Sequence, residues 1–367
     1  MSTNDNLSKV MTVDAWDTFC EGLKAAGKTI LRPETPATEL DRAEGIRYLS
    51  RLTRVSLEMM LECADPDFPV FYQASNTTIK IGADNPDNIY FNATVQGDRE
   101  YRLRGTRGTV PFLSFATKAN RYAIDGTMAS TGELDAAQLE VDDDGSFEII
   151  ASQTPHKGNW LPMAADSSML LVRNTFLDRA HEVAATMTIE RIGAPPKPDA
   201  LSADKLVRSL ESAAGFVRGT AHMFANWSER FQTKPNSLDH LDQEICTRAG
   251  GDPNIYYLHG YWEIQKDQAL VIDVTPPDCE LWNFQLNNYW MESLDYRYAR
   301  ICVNKHTVHL STDGSMRIVL AHENRGFHNW LDLDSHLSGT MLLRWTGALA
   351  HPVPVCRLLP LTLVPRD

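Results

Sequence analysis

The stretch FHNWLDLDSH, at 327–336, places two histidines and two aspartates within nine residues. Imidazole and carboxylate groups this close together can transfer protons, and the same groups can hold a metal ion. If 332–336 is extended, Asp332, Asp334 and His336 share one face, because strand side chains alternate. We predict proton transfer by His328 and His336, with Asp332 or Asp334 orienting a histidine. The alternatives are a metal site formed by Asp332, Asp334 and His336, and a solvated loop without a catalytic role.

The stretches NIYYLHGYWEI and ELWNFQLNNYW form a second candidate site in the same half of the chain. Alternation places Tyr257, His259 and Tyr261 on one face of the first stretch, and it separates three amides from three apolar residues in the second. A histidine among aromatic and amide side chains is typical of a pocket for a neutral or weakly polar organic ligand. A solvent-facing sheet surface is the alternative. We predict that His259 transfers protons and that these residues bind the substrate: Tyr257, Trp262, Asn283, Gln285 and Asn287.

The sequence motifs of phosphate binding, nucleophilic catalysis and zinc binding give no support for a cofactor. We expect no phosphate-binding loop, because the Gly-bearing stretch RGTRGT at 104–109 stands between two strands instead of opening a helix. The nucleophile elbow Gly-x-Ser-x-Gly and the zinc motif His-Glu-x-x-His do not occur. We therefore predict no cofactor, with a divalent metal at 332–336 as the open alternative.

Composition limits the partners. The chain has 367 residues and a formal net charge of −13, which disfavours nucleic acid and anionic membranes as partners. The sequence has no apolar run of about 18 residues, so we expect no transmembrane helix, and the N-terminus lacks a secretory pattern. Six cysteines without Cys-x-x-Cys indicate buried thiols in a reducing compartment. We expect a cytoplasmic protein with a small-molecule ligand, and a homodimer is an open alternative.

The candidate residues must be positioned by strands that follow two long helices. Apolar periodicity predicts one helix at 36–63, where Thr38 and Asp41 form an N-cap, and a second helix after Ser202. Alternating stretches from 70 to 192, and again after about 250, predict strands joined by Gly-containing turns. The Pro-rich stretch IGAPPKPDA between these regions predicts a linker.

Short motifs recur in the two halves in the same order. DGSFEII is echoed by DGSMRIV, and SSMLLVR is echoed by GTMLLRW. The shift from Gly145 to Gly314 is 169, and the shift from Met169 to Met341 is 172. Constant order and nearly constant spacing indicate an internal duplication.

The duplication separates structural from functional candidates. Asn-Trp occurs in both halves, at 159–160 and at 329–330. An indole that fills space and an amide that bonds local backbone would build the fold twice. Polar residues found in one half only, such as those at 332–336, are the better candidates for a site.

These patterns predict a mainly β fold with helices. We expect duplicated antiparallel β-sandwich units, jelly-roll-like, each preceded by a long helix. The predicted parts are an N-terminal helical segment at 1–35, a first unit at 36–195, a linker at 196–201 and a second unit at 202–367.

The motifs that form the repeat also resemble a known family. ADNPDNIYF, YRLRGTRG, NRYAIDGT, DGSFEII and NWLPM together resemble the bacterial domain-of-unknown-function 1214 family, closely over about 36–195 and more loosely over 250–345. The resemblance implies a β-rich, jelly-roll-like domain in a soluble bacterial protein. It implies no reaction and no catalytic residues. The second half departs from the pattern, because Asp332 follows Asn-Trp-Leu where the family has proline.

Two functions remain open from the residues. The first is an enzyme that acts on a small, largely neutral molecule by His–carboxylate acid–base chemistry in a pocket of the C-terminal sandwich, as a lyase, isomerase or hydrolase. The second is a non-catalytic sandwich that binds a small molecule or carbohydrate. The clustered His and Asp residues of one half favour the enzyme.

Overall fold

A computed structural model of the chain describes residues 3–241 and 243–366, so Met1, Ser2, Asp242 and Asp367 lie outside the described residues. Thr38 caps the helix after it by accepting the backbone N–H of Asp41 at 3.1 Å, as predicted. That helix ends in a π-helical turn at Glu58–Glu62. No helix in 3–241 or 243–366 is long and apolar enough to cross a membrane. The α-helices are α1 Thr3–Met11, α2 Asp14–Ala26, α3 Glu39–Leu57, α4 Ala203–Gln232 and α5 Gln243–Arg248.

Eight strands form the first half and eight equivalent strands form the second. The strands of the first half are β1 Asn88–Thr94, β2 Tyr101–Thr106, β3 Phe112–Arg121, β4 Thr127–Asp135, β5 Ser146–Ser152, β6 Trp160–Pro162, β7 Met169–Thr175 and β8 Thr186–Arg191. A short strand, β9 Ser237–His240, follows α4. The strands of the second half are β10 Ile255–Glu263, β11 Gln268–Val274, β12 Leu281–Leu286, β13 Cys302–Asn304, β14 Met316–Ala321, β15 Trp330–Asp332, β16 Ser338–Thr346 and β17 Val355–Pro360.

Sheet topology repeats between the halves without exception. The first half has sheets in the order β1-β7-β3-β4 and β6-β5-β2-β8. The second half has β10-β16-β12-β13 and β15-β14-β11-β17, which is the same order with every strand number raised by nine. The predicted duplication and the mainly β fold are therefore confirmed.

Each half buries an apolar core between its two sheets. In the second half, Trp282, Phe284 and Leu286 of β12 point into this core together with Leu258 and Trp262 of β10. The first half has an equivalent core that includes Leu113 and Phe115 of β3. Alternation therefore sends the other face of β10 and β12 out of the sandwich and toward the other half.

One detail, present in both halves, differs from the predicted sandwich. Each half contains one parallel pair, β5–β6 and β14–β15, where antiparallel pairing was expected. The physical reason is the Asn-Trp motif. Asn159 donates to the backbone carbonyls of Glu140 and Glu148 and so holds the returning chain beside β5. Asn329 makes the same bonds to His309 and Arg317 beside β14, which confirms the structural interpretation of this motif.

The long helices contact the half that they do not precede. The helix α3 stands before the first half, yet Gly45 packs against the Trp290 ring of the second half, where a Cβ would approach to 2.6 Å. The helix α4 stands before the second half, yet a Cβ at Gly219 would lie 2.6 Å from the Tyr122 carbonyl oxygen of the first. The two crossed helix contacts join the halves.

Candidate ligand site between the two halves

A cavity with a volume of about 170 Å³ lies between the outer faces of β1–β7 and β10–β16. Matching positions of both halves line it, because the same strands meet there from opposite sides. Helix α4 closes one wall. The strand residues of the lining include Tyr90, Asn92, Leu171 and Arg173 from the first half and Tyr257, His259, Leu342 and Arg344 from the second.

Tyrosine hydroxyls anchor equivalent loops on both sides of the cavity. The backbone N–H of Asn85 donates to the Tyr90 hydroxyl at 2.9 Å. The backbone N–H of Asp252 donates to the Tyr257 hydroxyl at 2.8 Å. Both pairs differ by 167 residues in number, so Asn85 and Asp252 hold the same place in the two halves.

One buried arginine of each half donates a hydrogen bond to a loop of the other half. Arg173 donates through Nη2 to the Gly250 carbonyl oxygen at 2.7 Å. Arg344 donates through Nη2 to the carbonyl oxygen of Ala83, the residue equivalent to Gly250. The two arginines are thus related by the same internal symmetry as the strands.

The environments of the two arginines differ in charge. Arg173 forms an ion pair with Asp252 at 3.2 Å, whereas the position equivalent to Asp252 is the neutral Asn85 beside Arg344. Burial lowers the pKa of both guanidinium groups. Asp252 outweighs burial at Arg173, whose pKa is raised. At Arg344 burial prevails over weaker interactions with Tyr90 and other groups, and its pKa is lowered.

His259 projects from β10 into the cavity without a hydrogen-bond partner at Nδ1 among the described residues. Its ring stacks on Phe231 with the ring centroids 5.0 Å apart and meets the Trp227 ring edge-on at 5.6 Å. Burial, with a smaller contribution from Arg344, lowers the pKa of His259 to about 3. The imidazole is therefore neutral at physiological pH.

The rest of the wall combines apolar side chains with the polar residues Ser75, Asp84, Asn85 and Asn88. Phe216, Phe224 and Trp227 face the cavity from α4, and Met59 faces it from the π-helical turn. The side-chain oxygen of Asn88 is buried at the cavity and accepts no hydrogen bond from the described residues. The site thus combines an aromatic wall with a few polar groups, an arrangement typical of small-molecule sites.

Comparisons with known proteins agree with this duplicated architecture. The sequence profile of the family described as "Protein of unknown function (DUF1214)" matches residues 91–175 and 263–348. A solved structure of an uncharacterized protein from Burkholderia cenocepacia is 49% identical, with a TM-score of 0.95, covering 99% of this chain and 100% of that chain. The chain belongs to the DUF1214 family.

Further comparisons add no activity to this assignment. The VPA0106 protein from Vibrio parahaemolyticus is 10% identical, with a TM-score of 0.48, covering 86% of this chain and 98% of that one. No curated protein matches the chain. The predicted family is therefore confirmed for this DUF1214 protein, with one DUF1214 match in each half.

The predicted substrate-binding amides lie beside the cavity and contact protein groups. Asn283 donates to Asn85 at 2.6 Å, and Gln285 donates to the Asp84 carbonyl oxygen at 2.9 Å. Asn287 donates to the Thr340 hydroxyl at 3.2 Å. The alternation that separates these amides from the apolar core is as predicted. The amide face was expected to contact a substrate, but the first half and the Arg344 guanidinium cover Asn283 and Gln285.

The two predicted aromatic contacts have different positions. Tyr257 lines the cavity, and burial raises its pKa, so its hydroxyl stays protonated. Trp262 does not face the cavity, because it points into the sandwich core and donates from its indole to the Thr340 carbonyl oxygen at 3.1 Å. The assignment of Trp262 to substrate binding is therefore corrected by the register of β10.

The DUF1214 fold separates the residues of the FHNWLDLDSH stretch. His328 is exposed and stacks on His309 with the ring centroids 3.9 Å apart. His336 is buried, and its Nε2 bonds the Glu44 carboxylate of α3 at 2.8 Å. The described residues that line the cavity around His259 include neither of them. The three predicted histidines therefore do not form one proton-transfer site.

The shared face predicted for Asp332, Asp334 and His336 is wrong. The strand β15 ends at Asp332, and the positive φ of Asp334 (47°) and Ser335 (68°) turns the chain. The Asp332 carboxylate accepts the backbone N–H of Asp334 at 2.9 Å and so stabilises this turn. In the described ranges, no group of three or more His, Cys, Asp or Glu side chains is arranged to hold a metal ion.

The sequence contains one phosphate-loop pattern, close to its N-terminus. GLKAAGKT at 22–29 fits the pattern Gly-x-x-x-x-Gly-Lys-Thr. It lies in the last turns of α2 and in the short 3₁₀ helix Gly27–Leu31, whereas a phosphate loop joins a strand to the start of a helix. Gly22 instead allows α2 to approach α4, where a Cβ would lie 2.8 Å from Ala214. The motif is a helix-packing feature in this fold.

Arg173, Arg344 and Asp252 were not among the predicted site residues. A signal for them exists in the sequence, since the shift of 167 that aligns Pro86 with Pro253 also aligns Asn85 with Asp252 and Asn92 with His259. These asymmetric pairs satisfy the criterion that polar residues of one half are functional candidates. Their facing positions across the cavity depend on how the two halves pack.

Proposed function

We propose that this protein binds a small organic molecule in the cavity between its halves. The observation that carries the proposal is that two residues of the lining, His259 and Asn88, each have a buried polar atom, Nδ1 and Oδ1, without a partner among the described residues. Buried polar groups are nearly always hydrogen-bonded, so a ligand group is the natural partner for each atom. The neutral imidazole and the amide oxygen would orient such a ligand.

The size and wall of the cavity support a ring-sized ligand. A dry cavity of about 150 Å³ lined by aliphatic and aromatic residues holds benzene, and the cavity here has about 170 Å³. Phe216, Phe224 and Trp227 provide flat surfaces for an apolar or aromatic body. We infer a ligand with a small apolar body and at least one polar end.

The acid–base reaction expected from the sequence remains a prediction, and the surroundings of His259 favour binding. A general base acts best with a pKa near the operating pH, whereas the pKa of His259 is lowered to about 3 by burial and then by Arg344. No carboxylate orients the ring among the described residues. A neutral histidine of this kind is better suited to hydrogen bonding than to proton transfer.

We also propose a cytoplasmic location for this binding protein. The six cysteines form no disulfide bond in the described part of the chain. Burial raises the pKa of the Cys302 thiol and of the Cys279 thiol, which keeps both protonated. Thiols that form no disulfide bond suit a reducing compartment.

A fluorescence titration tests the binding proposal. Trp227 in the cavity wall reports on occupancy, so benzyl alcohol, benzamide and sodium benzoate would each be added while tryptophan emission is followed. We expect a saturable change with at least one of these probes. The variant Leu342→Phe, which fills the cavity, should abolish the change. Overpacking costs about 1–3 kcal/mol of stability, so circular dichroism would confirm that the variant is folded.

The matched control makes the same change outside the cavity. Leu358 lies on the edge strand β17 with 39% of its surface exposed, so Leu358→Phe should bind the probes as the native protein does. Absence of saturable binding by the native protein would contradict the proposal. Equal binding by the Leu342→Phe variant would place the probe elsewhere and would also contradict it.

A further inference from the structure

We propose that the ligand of this cavity is a small carboxylate monoanion and that Arg344 holds its two oxygens. This inference rests on the proposed binding function and adds the chemical class of the ligand. Arg344 is buried and lines the cavity beside Tyr257 and His259. It is the cationic group that matches the polar end of such a ligand.

The hydrogen bonds of Arg344 leave two of its N–H groups available. A guanidinium has five N–H groups. Nη1 donates to Asn283, at 3.3 Å, and to Gln285, and Nη2 donates to the Ala83 carbonyl oxygen. The Nε–H and the second N–H of Nη2 have no acceptor among the described residues. A guanidinium with two available N–H groups can bind a carboxylate, and it does so in a bidentate manner where both lie on one edge.

The equivalent arginine shows what Arg344 lacks. In the first half, the hydroxyl of Ser114 donates to Asp252 at 3.1 Å, and Asp252 pairs with Arg173. In the second half, the equivalent chain of contacts runs from Asn283 to Asn85 at 2.6 Å and from Arg344 to Asn283. Asn85 holds the position of Asp252 but is neutral, and Arg344 bonds Asn283 where Arg173 bonds the Asp252 carboxylate. Arg344 is consequently a buried cation with neutral hydrogen-bond partners.

Carboxylates near Arg344 have other principal partners. Asp84 accepts from the Ser293 backbone N–H at 3.0 Å and from the Ser293 hydroxyl at 2.9 Å, and its main cationic neighbour is Lys80. Asp87 is buried, and its main cationic neighbour is Arg179. No ion pair joins Arg344 to a carboxylate in the described part of the chain. Asp84 and Asp87 act on Arg344 only without direct contact, and one positive charge without a directly paired anion matches a monoanion better than a dianion.

The apolar wall determines which carboxylates fit. The guanidinium lies beside the neutral His259 ring, and Phe224 and Trp227 form the wall from α4. A carboxylate attached to a flat apolar body would place its charge on Arg344 and its body against these rings. Benzoate is the simplest probe with this chemistry, and benzamide is its neutral equivalent of the same shape.

Isothermal titration calorimetry with these two probes tests the inference. The native protein should bind benzoate about tenfold or more tightly than benzamide, because hydrogen bonds to charged groups are the stronger ones. Arg344→Gln should remove this preference. Asn85→Asp is the second variant, and it should fold because it copies the arrangement already present at Asp252. Its new carboxylate should pair with Arg344 and weaken benzoate binding about tenfold or more, with benzamide binding unchanged.

The outcomes separate the inference from the proposed function. If benzamide binds as tightly as benzoate, or if Asn85→Asp keeps the native affinity for benzoate, the carboxylate assignment is overturned while cavity binding stands. If neither probe binds and the fluorescence titration shows no saturable change, the proposed binding function is contradicted. A benzoate preference that both variants abolish supports the assignment to Arg344.

Discussion

The two halves of the chain form the same eight-stranded arrangement, but they surround their buried arginines differently. Arg173 of the first half has an anionic partner in Asp252, whereas Arg344 of the second half has the neutral Asn85 in that place. Strand order, crossing contacts and tyrosine anchors are otherwise equivalent. Because the strand arrangement is constant, the different charge at Asp252 and Asn85 explains why only one of the two arginines has an ion-pair partner.

A second difference lies in the loops that contact the helices. The loop between β3 and β4 spans only residues 122–126, whereas the loop between β12 and β13 spans 287–301. The longer loop carries Glu292, which pairs with Arg51 of α3 at 2.5 Å. It also carries Asn288, which donates to Glu44 at 2.9 Å. The second half is therefore tied to α3 by a buried polar network.

Making the first arginine resemble the second should have the largest effect on stability. Asp252→Asn would leave Arg173 as a buried cation without an anion, and breaking a buried pair in this way costs about 3–5 kcal/mol. Urea denaturation followed by circular dichroism would measure the free energy of unfolding. A loss below about 1 kcal/mol would mean that the two arginine environments are equivalent after all.

The His336–Glu44 pair should show a smaller, pH-dependent effect. Burial lowers the pKa of His336, but the hydrogen bond and charge of Glu44 outweigh it and raise the pKa above its usual value. The contribution of His336 is thus complete below about pH 6.5 and is lost as the pH rises through the raised pKa. We expect His336→Gln to destabilise the protein by about 2 kcal/mol at pH 6 and by progressively less toward pH 9.

The control for this prediction is an exposed histidine on α4. His222→Gln should change the free energy of unfolding by less than about 0.5 kcal/mol at either pH. Burial raises the pKa of Glu44, but the bond to His336 outweighs it and the pKa is lowered. Stability from Glu44 is therefore lost only at acidic pH. A constant difference between native protein and His336→Gln from pH 6 to pH 9 would show that His336 is not charged in the folded state.

The duplicated Asn-Trp motif offers a test within one chain. Asn329 is buried and Asn159 is partly exposed, although both make the same three backbone hydrogen bonds. We expect Asn329→Ala to cost about 1–2 kcal/mol, because it leaves buried backbone groups unpaired, and Asn159→Ala to cost less. Thermal unfolding of both variants would measure the difference. The reverse order would contradict the role of burial.

The smallest expected effect has the opposite sign. Asn85→Asp should give Arg344 the partner that Arg173 already has, and the free energy of unfolding should rise by up to about 1 kcal/mol above pH 7. The gain is limited because desolvating the new carboxylate offsets much of the attraction. Urea denaturation would measure it. A loss of more than about 2 kcal/mol would show that the second site cannot accept an anion.

Local features of this fold could be predicted from the sequence. Alternation identified the core face of β12, and the cap of α3 at Thr38 followed from residue type and spacing. The Asn-Trp motif was correctly assigned to structure because it occurs in both halves. These features depend on residues close together in the chain or on a repeated pattern.

The site depends on packing between distant segments and was only partly accessible to prediction. Alternation indicated which face of β12 carries Asn283 and Gln285, but it could not show that the first half covers that face. His336 was identified as an asymmetric residue, yet its partner Glu44 is 292 residues away. The sequence contains the Asn85–Asp252 difference, but it does not show that both positions face arginines across a cavity.

The crossing of each arginine to the opposite half has a consequence for how this molecule can vary. In a dimer of two identical single-unit chains, a substitution beside one arginine would appear beside the other as well, because both copies share one sequence. Here the two positions are encoded separately in one chain, so one can be aspartate while the other is asparagine. Covalent linkage thus permits one of two equivalent interfacial sites to be dedicated to stability and the other to recognition.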